Sequence, residues 1–419
     1  MINKLPGVAL IATFLVACGQ ESSAPAATET SVSQTPSETL DYAAEAQRIA
    51  RESIIVDTHI DVPYRLEKNP ADVSLATADG EFDYPRAMAG GLNAPFMSIF
   101  TPASLEPKGE SFAVADKLID LVENIVAQAP DKFAIALSPD DVRRQFEQGL
   151  ISLPMGMENG SPIEGKLENV RYFYERGIRY ITLAHGKSNH IADSSYDDNK
   201  QWQGLSEFGA QLVREMNRLG IMVDISHVSD EAFYQALEIS AVPVIASHSS
   251  VRHFTPGFER NMNDDMIRKL AENGGAIMIN YGSSFLTEEA NRYASERSKA
   301  AKAYADIHPG ADEDYLENQF AALFAKENGP FPYADLDDVL DHIDYAVELA
   351  GIDHVGIGSD YDGVGDSLPV GLKDVASYPN LVKGLLERGY SESDIRKILG
   401  ENLLRIWAAV EAYAADSGA

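Results

Sequence analysis

The chain has 419 residues, of which 45% are hydrophobic and 24% are charged, and this is the composition of an ordinary globular protein. Aspartate and glutamate number 65 against 34 lysines and arginines, so the formal net charge is −31. A charge of this size repels phosphate backbones and anionic membrane surfaces, and it excludes nucleic acid as a binding partner.

The first predicted element is a signal peptide over residues 1–17. An apolar run covers residues 8–17, which is too short to span a membrane as a helix and is typical of a secretory signal. The run ends in Leu-Val-Ala before Cys18, which resembles a bacterial lipoprotein cleavage box with Cys18 as the lipidated residue. Because Gly19 follows, the likeness implies a lipid anchor at the periplasmic face of the outer membrane. A plain signal peptide that happens to contain a cysteine is the alternative.

Residues 18–40 are predicted to form a flexible tether, because they are rich in serine, threonine, alanine and proline and lack an apolar period. The globular body is predicted over residues 41–419. Cys18 is the only cysteine, so the body has neither a disulfide nor a zinc site made of thiolates. Any metal in the body must therefore be held by histidine and carboxylate side chains.

Short apolar runs alternate with amphipathic helical patterns along the body. The runs are rich in valine, isoleucine and methionine, as expected for strands that are buried on both faces. Eight strands separated by helices predict an α/β fold, a closed (β/α)8 barrel of the TIM type. An open doubly wound sheet is the alternative, although the glycine-rich phosphate loop usual after its first strand is missing. The eight predicted strands are 53–59, 94–100, 151–158, 179–185, 222–227, 243–248, 276–281 and 354–360.

Two further segments do not fit the simple alternation of strands and helices. Residues 133–138 are predicted as a short extra element within the second crossover. Residues 283–333 predict a helical insertion, acidic and rich in alanine, after strand seven. Insertions at the carboxyl face of a barrel often form lids, and a contact in a homodimer is the alternative.

Six of the eight predicted strands end in histidine, glutamate or aspartate. Active sites of this barrel fold are built at the carboxyl ends of the strands. One such residue alone would more often be a core or capping residue, but six at the same end indicate a metal site. Three imidazoles and two carboxylates would suit zinc, and five ligands predict two ions that share a carboxylate. The residues at these ends are His59 with Asp61, Glu158, His185, His227, His248 and Asp360.

The chain resembles the membrane dipeptidase (renal dipeptidase) family of zinc metallopeptidases from about residue 49 to 412. The likeness implies a (β/α)8 fold and two zinc ions. It implies that His59 and Asp61 bind one zinc, that Glu158 bridges, and that His227 and His248 bind the second. The motifs that carry it are residues 56–63, 156–160, 180–185, 224–229, 243–250, 260–262 and 359–363.

By the same likeness the protein hydrolyses dipeptides, both L-Xaa-L-Xaa and L-Xaa-D-Xaa. The net positive charge of two zinc ions would lower the pKa of a bridging water, so that hydroxide attacks the peptide carbonyl near neutral pH. His185 would bind substrate and stabilise the oxyanion, and Asp360 would carry the proton to the leaving amine. Arg260 would hold the terminal carboxylate of the substrate.

Two neighbours of the predicted ligands depart from the family pattern, Ile60 and Asn159, and both bear on substrate preference more than on metal binding. Three other functions are weighed against a dipeptidase. Another amidohydrolase-type barrel enzyme is disfavoured, because such enzymes mostly carry His-x-His on strand one, where this chain has His59-x-Asp61. A solute-binding lipoprotein would not need five metal ligands. Hydrolysis of lactams is the third alternative.

Overall fold

A closed barrel of parallel strands forms the centre of the computed structural model, which describes residues 41–308 and 319–418. The strands are β1 (Ile55–Ile60), β2 (Leu92–Phe100), β3 (Phe133–Ile135), β4 (Ile151–Leu153), β5 (Met155–Glu158), β6 (Ile178–Thr182), β7 (Met222–Asp224), β8 (Ile245–Ala246), β9 (Ala276–Ile279) and β10 (Val355–Ile357). All except β3 and β4 belong to the barrel, in chain order, and β10 pairs with β1 to close it. The predicted eight-stranded barrel is confirmed.

The segment predicted as one strand over 151–158 forms two strands. Pro154 lies between β4 and β5, and it has no N–H to donate to a ladder. β4 pairs with β3 in a separate two-stranded sheet, whereas β5 pairs with β2 and β6 inside the barrel. The break therefore lets the chain pass from a small sheet outside the barrel into the barrel wall.

Helices follow the barrel strands and surround them. They are α1 (Tyr42–Glu52), α2 (Val62–Lys68), α3 (Tyr84–Gly90), α4 (Ser111–Gln128), α5 (Pro139–Glu147), α6 (Leu167–Glu175), α7 (Glu207–Leu219), α8 (Asp230–Ile239), α9 (Asp264–Glu272), α10 (Ser283–Leu286), α11 (Glu288–Ile307), α12 (Ala321–Asn328), α13 (Leu336–Ala350), α14 (Tyr378–Glu387), α15 (Glu392–Arg396) and α16 (Asn402–Asp416). None of the helices in the described part of the chain combines the length and the apolar character needed to cross a membrane.

Side-chain caps fix where the helices next to the strand ends begin. The hydroxyl of Ser229 accepts a hydrogen bond from the N–H of Ala232 at the start of α8. Such a cap satisfies one of the N–H groups that the first helical turn leaves unpaired. Because β7 ends at Asp224 and α8 begins at Asp230, the connecting loop is short and is held at both ends.

A line of aromatic rings runs through the barrel toward the carboxyl ends of its strands. Trp407 of α16 packs against Phe96 of β2, and Phe96 packs against Tyr180 of β6, with 5.4 Å between ring centroids in each pair. Gly156 makes room for the last ring, since a Cβ at that position would lie 1.9 Å from Cζ of Tyr180. The Tyr180 hydroxyl thereby reaches the imidazole of His59.

Helices α10–α12 follow β9, where the insertion is predicted. Within α11 only Ala290 is buried, and Tyr293 joins this helix to Phe324 of α12 by an edge-to-face contact at 5.2 Å. The lid and homodimer interpretations of this segment stay predictions. The signal peptide (1–17), the lipidation at Cys18 and the tether (18–40) lie outside the described residues and also stay predictions.

Candidate metal centre

The predicted ligands of the first strand and the predicted bridging glutamate converge at one end of the barrel. His59 lies within β1 and Glu158 is the last residue of β5. Residues two apart on one strand point to the same face, which would bring Asp61 beside His59, but β1 ends at Ile60 and Asp61 occupies the N-cap of α2. Even so, Nε2 of His59 lies 3.5 Å from Oδ2 of Asp61. The turn into α2, and not strand parity, brings the two side chains together.

The remaining predicted site residues lie in the loops just beyond the strands. β6, β7 and β10 stop three residues before His185, His227 and Asp360, and β8 stops two residues before His248. These strands are therefore shorter than predicted, but each still delivers its residue to the same end of the barrel. Loop residues held on a rigid strand frame are where function is usually found.

Several residues at this end adopt the left-handed backbone region without being glycine, among them Asn159, His227 and Asp360. The φ angles are 74° for Asn159, 69° for His227 and 64° for Asp360. Such conformations are uncommon for non-glycine residues, and they persist where the surrounding structure enforces them. At each position the chain turns sharply after a strand. That turn aims the side chain of His227 toward Glu158 and brings Asp360 close to His59 and Asp61.

One carboxylate oxygen of Glu158 faces three imidazoles. Its Oε1 lies 3.1 Å from Nε2 of His227, 3.3 Å from Nε2 of His185 and 3.4 Å from Nε2 of His248. The two nitrogens of His227 and His248 are themselves only 2.7 Å apart. Three imidazole nitrogens therefore lie close to this one carboxylate oxygen.

The other oxygen of Glu158 faces a different set of groups. Its Oε2 lies 3.3 Å from Nε2 of His59 and accepts a hydrogen bond from the hydroxyl of Ser98 at 3.1 Å. Asp61 completes this side through its contact with His59. Glu158 is thus placed between two groups of ligand atoms, with one oxygen directed at each.

The buried charges of the site shift the pKa values of its members. Burial alone would raise the pKa of Glu158, but the imidazoles of His59 and His185 hold it well below its usual range. Burial, with the nearby charge of Arg260, lowers the pKa of His227 far below the usual value, and burial does the same for His248. The site therefore presents an ionised carboxylate to the neutral imidazoles of His227 and His248, and these are the forms that ligate metals. His59 differs, because burial is outweighed by Tyr180 and by the carboxylates of Glu158 and Asp61, which raise its pKa well above the usual value.

The donor set fits divalent metal ions. Nε2 of His59 and Oδ1 of Asp61 are buried polar atoms without a hydrogen-bond partner in the described chain, and such orphaned atoms are rare in folded proteins. The close approach of two neutral ring nitrogens in His227 and His248 is likewise unfavourable unless a proton or a cation lies between them. Imidazole and carboxylate donors are the usual ligands of zinc.

His185 and Asp360 lie at the edge of this cluster, where a substrate could reach them. The side chain of His185 is 26% exposed, and its ring packs against Phe100 with 4.7 Å between centroids. Burial raises the pKa of Asp360 to about 7, and the neighbouring carboxylates of Asp61 and Glu158 add to the effect. A carboxyl group that titrates near neutral pH is suited to proton transfer.

Arg260 lies beside the second group of imidazoles and is almost enclosed, with 3% of its surface exposed. Its guanidinium donates to Oγ of Ser249 and to the carbonyl of His248, both at 2.7 Å, and lies 3.1 Å from Nε2 of His227. Nε of Arg260 has no partner among the residues described. Part of the guanidinium that was predicted to hold the substrate carboxylate is therefore already hydrogen-bonded within the protein.

The histidines predicted to be structural lie away from this cluster. His342 is an example, since its Nδ1 accepts the N–H of Val251 and its Nε2 lies 2.9 Å from the carbonyl of Leu286. No role had been predicted for several polar residues that contact the cluster directly or, in the case of Asp224, through Ser247, because single hydroxyl, amide or carboxylate side chains carry no spacing signal. These residues are Ser98, Tyr180, Asp224, Ser247 and Asn280.

The family of the chain is decided by its match to a family model. Residues 43–419 match the model described as membrane dipeptidase (peptidase family M19). The chain belongs to this family. Its members are metallopeptidases, so the protein is placed among the hydrolases, and the resemblance stated from the sequence is confirmed.

Solved structures of this family have the same fold. The probable dipeptidase PvdM from Pseudomonas aeruginosa is 28% identical, with 89% of this chain and 99% of that chain covered and a TM-score of 0.78. A metallopeptidase from Rhodobacter sphaeroides, solved with a phosphinate mimic of L-Ala-D-Ala, is 25% identical, with 86% and 100% covered and a TM-score of 0.70. A structure described as the dipeptidase AC of family M19 is 25% identical, with a TM-score of 0.70. The match covers 85% of this chain and 98% of that chain.

Proposed function

We propose that this protein hydrolyses dipeptides with two divalent metal ions, zinc by preference, held by His59, Asp61, Glu158, His227 and His248. The observation that carries the proposal is the placement of Glu158, whose two oxygens face two separate sets of ligand atoms. A single ion would need only one of these sets. A carboxylate directed at both is the arrangement expected of a bridging ligand.

The chemistry divides between the metal ions and the side chains of the chain. When bound, two zinc ions would polarise the peptide carbonyl and acidify a water molecule, so that hydroxide is available near neutral pH. His185, exposed at the edge of the cluster, would donate a hydrogen bond to the oxyanion that develops from the carbonyl. Asp360 would take a proton from the attacking water and return it to the leaving amine.

Asp360 is held in place for this role by its neighbours. Its Oδ2 accepts a hydrogen bond from Nδ2 of Asn280 at 2.7 Å, which leaves Oδ1 without that partner. Gly363 lets the following backbone lie against the site, because a Cβ there would fall 2.3 Å from Oδ1 of Asp360 and 2.2 Å from Oδ2 of Asp61. The two carboxylates thus share one small region, in which a proton can be passed over a short distance.

The substrates we propose are L-Xaa-L-Xaa and L-Xaa-D-Xaa dipeptides. The ligand of the Rhodobacter relative, a phosphinate mimic of L-Ala-D-Ala, supports tolerance of a D-residue at the carboxyl end.

Turnover of a dipeptide library tests the proposed function. Zinc-loaded protein is assayed against L-L and L-D dipeptides, and its zinc content is determined by elemental analysis before and after dialysis against a chelator. We expect about two ions per chain, lost together with activity and regained together on adding zinc. Protein incubated with excess zinc that binds no metal or cleaves no dipeptide would contradict the proposal, and metal binding without turnover would favour a solute-binding protein.

Arg260 is expected to distinguish a dipeptide from its carboxyl amide. The amide has the right length but no negative charge for the guanidinium, so the parent enzyme should cleave it poorly. Arg260→Ala should lower kcat/KM for the free acid by about 10- to 150-fold, which corresponds to the loss of about 1.5–3 kcal/mol from a charged hydrogen bond, and should change the amide much less.

The acid and the amide serve as each other's control, since structural damage from removing Arg260 would lower turnover of both compounds equally. The measurement is kcat/KM for the two compounds with parent and variant. Equal turnover of acid and amide by the parent would show that Arg260 does not bind the substrate carboxylate.

A further inference from the structure

The imidazole of His248 is connected to a buried carboxylate through a serine hydroxyl. Nδ1 of His248 lies 2.8 Å from Oγ of Ser247, and the same Oγ lies 2.7 Å from Oδ2 of Asp224. All three residues are fully buried, with 0% exposure each. No role in metal binding had been predicted for Asp224 or Ser247.

Both oxygens of Asp224 are surrounded by hydrogen-bond donors. Oδ1 accepts the backbone N–H of Ser226 at 3.1 Å and of Ser247 at 2.8 Å. Oδ2 accepts the hydroxyls of Thr182 and Ser247. With four donors directed at it, the carboxylate acts as an acceptor only, and the hydroxyl proton of Ser247 therefore points to Asp224.

This direction determines which nitrogen of His248 carries the proton. Because the Ser247 hydroxyl donates to Asp224, its oxygen can only accept at the other contact. Nδ1 of His248 must then be the donor, and Nε2 keeps its lone pair. Nε2 is the atom that faces Oε1 of Glu158 at 3.4 Å and Nε2 of His227 at 2.7 Å. The lone pair is thus directed into the candidate metal centre.

We propose that Asp224 and Ser247 are positioning residues that hold His248 in the Nδ1–H tautomer, with Nε2 ready to ligate a metal ion. The effect on metal binding rests on the proposed function, whereas the hydrogen bonds among Asp224, Ser247 and His248 do not depend on it. A ligating histidine commonly donates its second N–H to a partner that fixes the ring, and loss of that partner typically costs 10- to 100-fold in metal affinity. Here the partner is a hydroxyl, which is itself oriented by a carboxylate.

The three predicted imidazole ligands are not supported equally. Nδ1 of His59 lies 2.8 Å from the hydroxyl of Tyr180. Nδ1 of His227 has no hydrogen-bond partner within the described ranges. His248 is thus the ligand that a buried carboxylate orients. Substitution of Asp224 or Ser247 should therefore weaken zinc binding by His227 and His248. Zinc binding by His59 and Asp61 should stay unchanged.

A purely structural role is the competing explanation. Asp224 pairs with Ile245 in the barrel, and its bonds to Ser226 and Ser247 tie the ends of β7 and β8 together. Such a tie would stabilise the barrel without any effect on a tautomer. The two explanations differ in what they predict for the imidazole protons of His248 and for zinc affinity in a folded variant.

The tautomer of His248 can be measured without disturbing the site. Long-range 1H–15N spectra of the full-length protein labelled with 15N-histidine distinguish Nδ1–H from Nε2–H imidazoles, and the spectrum of His248→Gln assigns the signal. In metal-stripped parent protein we expect His248 as the Nδ1–H tautomer. An Nε2–H tautomer would overturn the proposal, and this measurement does not require Ser247 variants to fold.

The second measurement compares zinc affinity in Ser247→Ala and a matched control. Ser247→Ala removes the hydroxyl that connects Asp224 to His248 and leaves Asp224 with its three other donors. Ser152→Ala is the control, because Ser152 is also buried but lies in β4 of the small sheet outside the barrel, where its hydroxyl donates to Gln145 of α5. Competition with a zinc chelator should show the weaker of two zinc affinities reduced about 10- to 100-fold in Ser247→Ala and unchanged in Ser152→Ala.

The outcomes separate this proposal from the proposed function. Ser247→Ala protein that keeps both zinc affinities and the parental tautomer would overturn the positioning role while leaving the dipeptidase proposal intact. Parent protein that binds no zinc would contradict the dipeptidase proposal, whatever the tautomer of His248. Thermal unfolding of each variant, followed by circular dichroism, shows that the comparison is made between folded proteins.

Discussion

Glu158→Ala is expected to reduce bound zinc from about two ions per chain to none, and to bring dipeptide turnover to the detection limit. The reason is that Glu158 directs one oxygen at each set of ligand atoms, and only a bridging ligand serves two ions. Removing it also leaves imidazole nitrogens facing one another without the anion between them. Elemental analysis and kcat/KM on the same preparation provide the measurement.

Two comparisons make the Glu158 result specific. Glu168→Ala removes an exposed carboxylate from the first turn of α6 and should leave metal content and activity unchanged. His248→Ala should lower the content to about one ion, because its Nε2 faces Oε1 of Glu158 beside Nε2 of His227 and is not directed at Oε2. If Glu158→Ala retained one ion as His248→Ala does, Glu158 would be a ligand of a single ion.

Asp360→Asn is expected to lower kcat by about 10²- to 10⁴-fold while both metal ions stay bound, since a positioned acid or base contributes a factor of this size. The amide keeps the size of the side chain, and its carbonyl can still accept the hydrogen bond from Asn280. Asparagine also tolerates the left-handed backbone of this position, where φ is 64°. The change therefore removes the titratable group and little else.

The control for Asp360→Asn lies in the same loop. Asp366 is an exposed carboxylate that accepts a hydrogen bond from the hydroxyl of Tyr333, and Asp366→Asn should leave kcat unchanged. Steady-state kinetics are read together with zinc content. Loss of zinc in Asp360→Asn would make Asp360 a metal ligand, consistent with its closeness to His59 and Asp61, and would remove it from the proton-transfer step.

The barrel architecture could be predicted from the sequence because one pattern, an apolar run followed by a helical segment, recurs along the chain. Eight apolar runs alternating with helices specify a closed parallel barrel, and the residue types at the ends of the runs are uncommon there. Strand ends were less predictable, since β7 and β8 are only three and two residues long and their continuation depends on pairing with neighbours. Pro154 was visible in the sequence as a strand breaker, yet 151–158 still read as one apolar run.

The candidate ligands could be named from sequence, whereas the side chains that orient them could not. His227 and His248 stand out as rare residue types beyond strand ends. Asp224 and Ser247 are common residue types. Their proposed role depends on a hydrogen bond between two neighbouring strands and on the direction in which the Ser247 hydroxyl donates its proton. Tyr180 reaches His59 only because Gly156 on the neighbouring strand leaves space. Such relations exist between strands and are not contained in the spacing along one strand.

The closure of the barrel has a consequence for folding. The candidate ligands extend from His59 on β1 to His248 after β8, and Asp360 follows β10, the strand that pairs with β1 through Asp57 and Ile357. The site can be completed only when the first and last strands have met, after loop closure over most of the chain. Zinc that binds only the closed barrel would stabilise it by about 2.7 kcal/mol at a hundredfold excess over the dissociation constant. The supply of zinc would then influence the fraction of the protein that is folded as well as its rate of turnover.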